Sequence, residues 1–179
     1  MSDADLSATN TLLQQQIGNE FFAAQQYTAF AVWLDQQALS QLATRFYRQA
    51  VEERNHAMML VQYLMDRDVA VTIPGVPEVH NDLKSVAELV ELALEQEKRV
   101  TTDFERIIGA ARSDGDYLAE QFIHWFLKEQ VEEVASMATL LQVASRVGDN
   151  LMLLEDYLAR ESSTATTDPT APPAAGGAA

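Results

Sequence analysis

In the segment QAVEERNHAMMLVQYL, residues 49–64, a carboxylate and an imidazole three residues apart, Glu53 and His56, fall on the face that helical spacing reserves for apolar side chains. The same irregularity occurs four times. Stepping by three and four, Glu20 interrupts the stripe Leu13, Ile17, Ala24, Tyr27, Ala31 and Leu34, and Glu53 interrupts Phe46, Ala50, Ala57, Leu60 and Leu64. Glu97 interrupts Val86, Val90, Ala93, Val100, Phe104 and Ile107, and Gln130 with Glu133 interrupts Phe122, Phe126, Met137, Leu140 and Ala144. Any one of these could be a protonated or paired polar residue, or could reach solvent on a rotated helix. Four buried carboxylates with one imidazole, and no Lys or Arg on the stripes, would cost several kcal/mol per ion. Divalent cations, most simply two, resolve the conflict, and oxygen ligands with a single imidazole suit iron or manganese.

The elements that must position these groups are long helices. Apolar spacing of three and four runs across roughly 7–35, 40–67, 85–112 and 116–146, with a short fifth stretch near 150–160. Four helices of about 28 residues, each about 40 Å long, make a four-helix bundle. Ser85 with Glu88 reads as a capping box, Asp116 and Asp149 as helix N-caps, and Gly115 and Gly148 as helix ends. Short breaks join helices one to two and three to four, so those pairs are antiparallel. The longer stretch 68–84 serves as a crossover along the bundle between helices two and three. With turns near 37 and 114, Glu20 and Glu53 lie about 17 and 16 residues from the first, and Glu97 and Gln130 about 17 and 16 from the second. The polar groups therefore meet in one layer. Residues 1–161 are expected as one domain, and the Ala-, Thr-, Pro- and Gly-rich segment 162–179 as a disordered tail.

Composition narrows the chemistry. Zero cysteines among 179 residues exclude disulfides, thiolate metal sites and Cys nucleophiles. A net charge of -15 argues against nucleic-acid partners and for a field that gathers cations. Neither a membrane span nor a secretory leader is supported, so no membrane partner is expected and the cytoplasm is the expected compartment.

The segments NEFFAAQQY (19–27), EERNHA (52–57), LEQEK (94–98) and WFLKEQVEE (125–133) resemble the ferroxidase-centre segments of bacterial non-haem ferritins, particularly the actinobacterial kind, across roughly residues 8–160. The resemblance implies an all-α, ferritin-like fold with a short fifth C-terminal helix. It implies that Glu20, Glu53 and His56 bind one iron and that Glu53 bridges to a second held by Glu97 and Glu133. Gln130 would lie beside the centre, and Tyr27 and Trp125 would be nearby electron donors. Glu52, Glu129 and Glu132 match a third, transit iron site, although by spacing they read equally as a solvated acidic face. Glu120 and His124 match the lining of threefold channels, whereas His80 is read as no ligand. The stripe Leu151, Leu154 and Leu158 resembles a helix at fourfold contacts, or else simply closes the bundle end. Haem-carrying relatives place Met directly after the bridging Glu, where this chain has Arg54, so no haem is expected.

The activity implied is iron storage: Fe(II) oxidised by O2 or H2O2 at an intra-subunit di-iron ferroxidase centre, and ferric mineral held in a homo-oligomeric cage of about 24 subunits. Two readings stay open beside it. One is a di-metal enzyme that reduces peroxide or oxygenates a substrate; the other is a helical module that buffers divalent cations passively.

Overall fold

Ser7 opens the first helix, α1 (Ala8–Gln36), by accepting a hydrogen bond from the Asn10 N–H at 3.1 Å. Four more helices follow: α2 (Ser40–Asp66), α3 (Val86–Asp114), α4 (Tyr117–Val147) and α5 (Leu151–Glu161). The computed structural model describes residues 7–161 and 169–177, and among these there is no strand. No helix among the described residues is long and apolar enough to cross a membrane. The all-α bundle with a crossover and a short fifth helix, expected from periodicity, is the fold observed.

Local chemistry accounts for the boundaries. Gly115 ends α3 in the left-handed region at φ 70°, and Asp116 caps α4 by accepting from the Ala119 N–H at 3.0 Å. Two caps differ from expectation. Ser85 accepts from the Glu88 N–H at 3.1 Å, but the Glu88 carboxylate reaches the Lys84 N–H at 2.8 Å, one residue beyond the position a capping box uses. Helix α5 starts at Leu151, so Asn150 and not Asp149 occupies the cap position.

Helix α1 packs on α2, α3 on α4, and α1 on α3, whereas α2 and α4 stand farther apart. Large side chains bridge that wider seam: the Tyr63 and Phe122 rings stack at 4.0 Å, and His56 meets Trp125 edge-on at 5.8 Å. The core divides into two clusters. Phe30, Leu34, Leu42, Phe46, Leu89 and Leu140 fill the end nearest α5, and Leu13, Ile17, Leu60, Leu64, Phe104 and Phe126 fill the other. Burying each such side chain stabilises the fold by about 1.5–3 kcal/mol. The polar layer lies between them.

The crossover is fastened by side-chain amides of α1. The Gln26 amide donates to the His80 carbonyl at 2.9 Å and accepts from the His80 N–H at 2.7 Å, and the Gln14 amide donates to the Ala70 carbonyl at 2.7 Å. At Gly18 a Cβ would lie 3.1 Å from Pro74 Cγ, so a glycine lets the crossover lie close against α1. Of the tail, 162–168 and 178–179 fall outside the described residues. In the part between them, Ala171, Ala174 and Ala175 pack beside the Phe126 cluster, and the Ala175 N–H donates to the Met58 carbonyl at 3.0 Å.

Candidate metal centre

Each helix of the bundle delivers a carboxylate to one height because an apolar stripe fixes its rotation and a hairpin turn fixes its register. Glu20 (0 % exposed), Glu53 (2 %), His56 (4 %) and Glu97 (1 %) are buried, with Gln130 beside them, and Glu133 is half-buried on the seam between α2 and α4. Ligand-capable atoms of Glu20, Glu53 and His56 all lie within 4.8 Å of one another. The Nδ1 of His56 stands 3.2 Å from Glu53 Oε2. On the α3–α4 side, the Gln130 amide donates to Glu97 Oε2 at 3.0 Å and to the Glu97 carbonyl at 3.1 Å, while the buried Tyr27 hydroxyl donates to Glu97 from α1. One hydrogen-bonded set thus spans α1, α3 and α4, with the Glu53–His56 pair facing it from α2.

Electrostatics reflect too much negative charge in too little water. Burial, then the Glu53 charge, pushes the Glu20 carboxyl well above the usual carboxylate range. Burial and the neighbouring carboxylates likewise raise Glu97 to about 7 and Glu133 to about 8. Glu53 goes the other way: burial raises it, but the hydrogen bond and charge of His56 outweigh that and hold it low. His56 is pushed down by burial and pulled up more strongly by Glu53, Glu20 and Glu52, to about 10. One imidazolium therefore faces four carboxylates, of which Glu20, Glu97 and Glu133 hold their protons more tightly than usual and Glu53 less tightly.

Among the residues expected at a third site, Glu52 and Glu129 are half-buried close enough to feel each other's charge, and Glu132 is exposed. Glu120 accepts from Arg112 at 2.8 Å and stands 3.7 Å from His124 on the surface. His80 is held through its backbone by Gln26. Leu154 and Leu158 turn into the chain's own core, whereas Met152 and Leu153 of α5 remain exposed.

Two partners of the cluster are not among the residues singled out from sequence. The buried Gln16 donates to Glu20 Oε1 at 2.7 Å, and Gln49 donates to Glu53 Oε1 at 3.4 Å. Each sits four residues before its Glu, so the repeated Gln-x-x-x-Glu spacing on two helices was the available signal. The remaining oxygen of Glu20, Oε2, is buried with no hydrogen-bond partner. Such an orphan costs about 1–3 kcal/mol, and a cation at that position removes the cost. The donor set fits: four carboxylates balance two divalent ions, with His56 neutral as a ligand must be.

Fold and cluster together define a class, a ferritin-like helical bundle with a carboxylate-rich interior. A ferritin-like domain matches residues 10–147. Ferritin BfrB of Mycolicibacterium smegmatis is 57 % identical over 169 residues, covering 94 % of this chain and 93 % of that protein. A bacterial non-heme ferritin of Staphylococcus aureus is 36 % identical over 156 residues, covering 87 % and 93 %. An open pore ferritin from the archaeon Archaeoglobus fulgidus superimposes with a TM-score of 0.82 at 26 % identity, covering 87 % of this chain and 98 % of that one. The chain belongs to the ferritin family, as the four segments of its bundle suggested, and its function is iron storage.

Proposed function

We infer that this chain is a ferroxidase as well as an iron store, and that Fe(II) is its substrate at the layer between the two core clusters. The observation that carries this reading is the convergence of Glu20, Glu53 and His56 within 4.8 Å around a buried, unpartnered Glu20 oxygen. Glu20, Glu53 and His56 hold one Fe(II); Glu53 is shared with a second held by Glu97 and Glu133. Two Fe(II) supply the two electrons that, with two protons, reduce O2 to H2O2 or H2O2 to water. Hard anionic oxygens favour the higher charge of Fe(III) and so bias the oxidation forward. Tyr27 and Gln130 orient Glu97 by donating to it. With one imidazole among the ligands, the ferric product is free to leave. The wider α2–α4 seam, where Glu133, Glu52 and Glu129 are half-buried, offers the way out, with Glu132 exposed beyond.

The rest of the reading follows the family. Residues 1–161 form the functional domain, with 162–179 an appendage. Subunits assemble in the cytoplasm as a cage of about 24. Exposed Tyr117, Leu118, Val131, Met152 and Leu153 are apolar surface for such contacts. Haem is not part of this protein, since Arg54 stands where a haem-ligating Met would follow the bridging Glu.

The test is anaerobic Fe(II) loading of metal-free protein followed by air, with light scattering after size exclusion, on wild type and Glu53→Ala. Rapid oxidation of a few irons per subunit, retention of hundreds more in a large assembly, and loss of the fast phase in the variant are expected. A small oligomer that binds metal and never mineralises would refute the cage and store.

A further inference from the structure

A string of side-chain hydrogen bonds leads out of the carboxylate layer on the α1–α3 side of the bundle. Glu20 Oε1 accepts from the Gln16 amide nitrogen at 2.7 Å, and Gln16 Oε1 accepts from the Asn19 amide nitrogen at 3.0 Å. The same Asn19 nitrogen donates to Asp103 Oδ2 of α3 at 3.3 Å. Gln16 is buried, Asp103 is half-buried and Asn19 is exposed. All three line one cavity of about 770 Å³ between α1, the crossover and α3, and Asp103 also pairs with Arg106 at 3.1 Å.

The string has a direction. A side-chain amide donates from one end and accepts at the other, and turning it end for end barely changes its shape, so its neighbours decide which end faces where. A carboxylate paired with a guanidinium only accepts. Asp103 therefore makes Asn19 present its nitrogen, the Asn19 nitrogen makes Gln16 present its oxygen, and Gln16 is left with its nitrogen toward Glu20. The bond that results is shorter than its counterpart on α2, where Gln49 stands 3.4 Å from Glu53.

We propose that Asn19 and Asp103 are positioning residues for the metal centre: acting through Gln16, they select the amide orientation that donates to Glu20 and so hold its carboxylate ready as an anionic ligand. Neither belongs to the set of ligand-capable atoms, and they lie 84 residues apart in the chain. With the string reversed, the Gln16 carbonyl oxygen would stand against Glu20 Oε1, two acceptors face to face, and the carboxylate would turn away from Glu53 and His56. The inference rests on the reading of Glu20 as a metal ligand.

The test is a Co(II) titration of the assembled, metal-free protein, followed by visible absorption, on wild type, Asn19→Asp, Gln16→Met and the double variant. Asn19→Asp puts an acceptor where Gln16 Oε1 needs a donor, and the tighter Co(II) site is expected to weaken about tenfold. The sign is diagnostic, because an added negative charge acting only through space would tighten a cation site. In the Gln16→Met background the same substitution is expected to bring no further weakening, since the string is already cut. Asp103→Leu is expected to weaken binding severalfold, and Asp103→Asn, which keeps an acceptor, to recover most of that loss. In fast Fe(II) oxidation, Asn19→Asp should raise the half-saturating Fe(II) concentration more than it lowers the saturating rate. Unchanged or tighter Co(II) binding in Asn19→Asp, or an equal loss in the Gln16→Met background, overturns the string. Absence of saturable Co(II) binding in wild type would instead overturn the metal-centre reading itself.

Discussion

Tyr27 of α1 donates its hydroxyl to the Glu97 carboxylate of α3, so the residue that completes the aromatic core against Phe30 and Phe46 also orients the metal cluster. Burial, then the charges of Glu97 and Glu53, pushes this phenol well above its ordinary range, which keeps it a donor. Tyr27→Phe preserves the ring and removes the bond. Because that bond holds Glu97 down, the carboxyl should rise further and metal should have to displace a more tightly held proton. The pH of half-maximal Co(II) binding should shift upward, with a fold penalty of about 1 kcal/mol. An unchanged binding profile would separate Tyr27 from the centre.

The metal-free fold should weaken as pH rises. Glu97 and Glu133 have folded values of about 7 and 8 against 4.5 when unfolded, so their protonated forms stabilise the fold below 4.5 and that contribution is lost through 7 to 8. His56, at about 10 against 6.5, contributes below 6.5 and loses it toward 10. The lowered Glu53 acts oppositely, losing its contribution as pH falls below 4.5. Between about pH 5 and about pH 9 the thermal midpoint of metal-free protein should fall, whereas stabilisation by saturating Zn(II) should grow as fewer protons compete. Scanning calorimetry at several pH values checks both signs.

Gln16 supports Glu20 from one helical turn away. Replacing it with Met keeps bulk and removes the donor, leaving Glu20 with neither oxygen fixed. Groups that orient a ligand from behind are worth about 10–100-fold in metal affinity. Gln16→Met should weaken the tighter Co(II) site by that order without altering urea stability of the bundle by more than about 1 kcal/mol. Equal affinity would reduce Gln16 to a packing residue.

Helix α2 begins without a side-chain cap of its own; Leu39 stands at that position. The Glu155 carboxylate of α5 accepts from the Gln41 and Leu42 N–H groups at 2.8 and 3.0 Å instead. Glu155→Ala should cost about 1–2 kcal/mol in urea denaturation and loosen α5. Metal binding at the bundle centre should be retained. A variant as stable as wild type would mean that α5 is held by Leu154 and Leu158 alone.

Much of this protein was legible in the residue order. Period and punctuation placed all five helices to within a few residues, because an amphipathic helix and its caps are local. Counting from two turns brought Glu20, Glu53, Glu97 and Glu133 to one height, because a rigid rise per residue makes register additive in an antiparallel hairpin. Their proximity was therefore determined by sequence alone. What only the tertiary structure decided is how each carboxylate is treated once there. Sequence alone did not distinguish Glu53, held low by His56, from Glu97 and Glu133, driven up by burial, since depth and facing charge depend on how closely helices approach. The wider α2–α4 seam leaves Glu133 and Glu52 half-buried whereas Glu97 is fully buried, although all three sit in similar helical sequence. Glu155 capping a helix more than a hundred residues away, Gln26 gripping the crossover, and Arg45 of α2 donating to Ser136 of α4 are pairings between distant segments. They arise when packed surfaces meet, and spacing along the chain carries no trace of them.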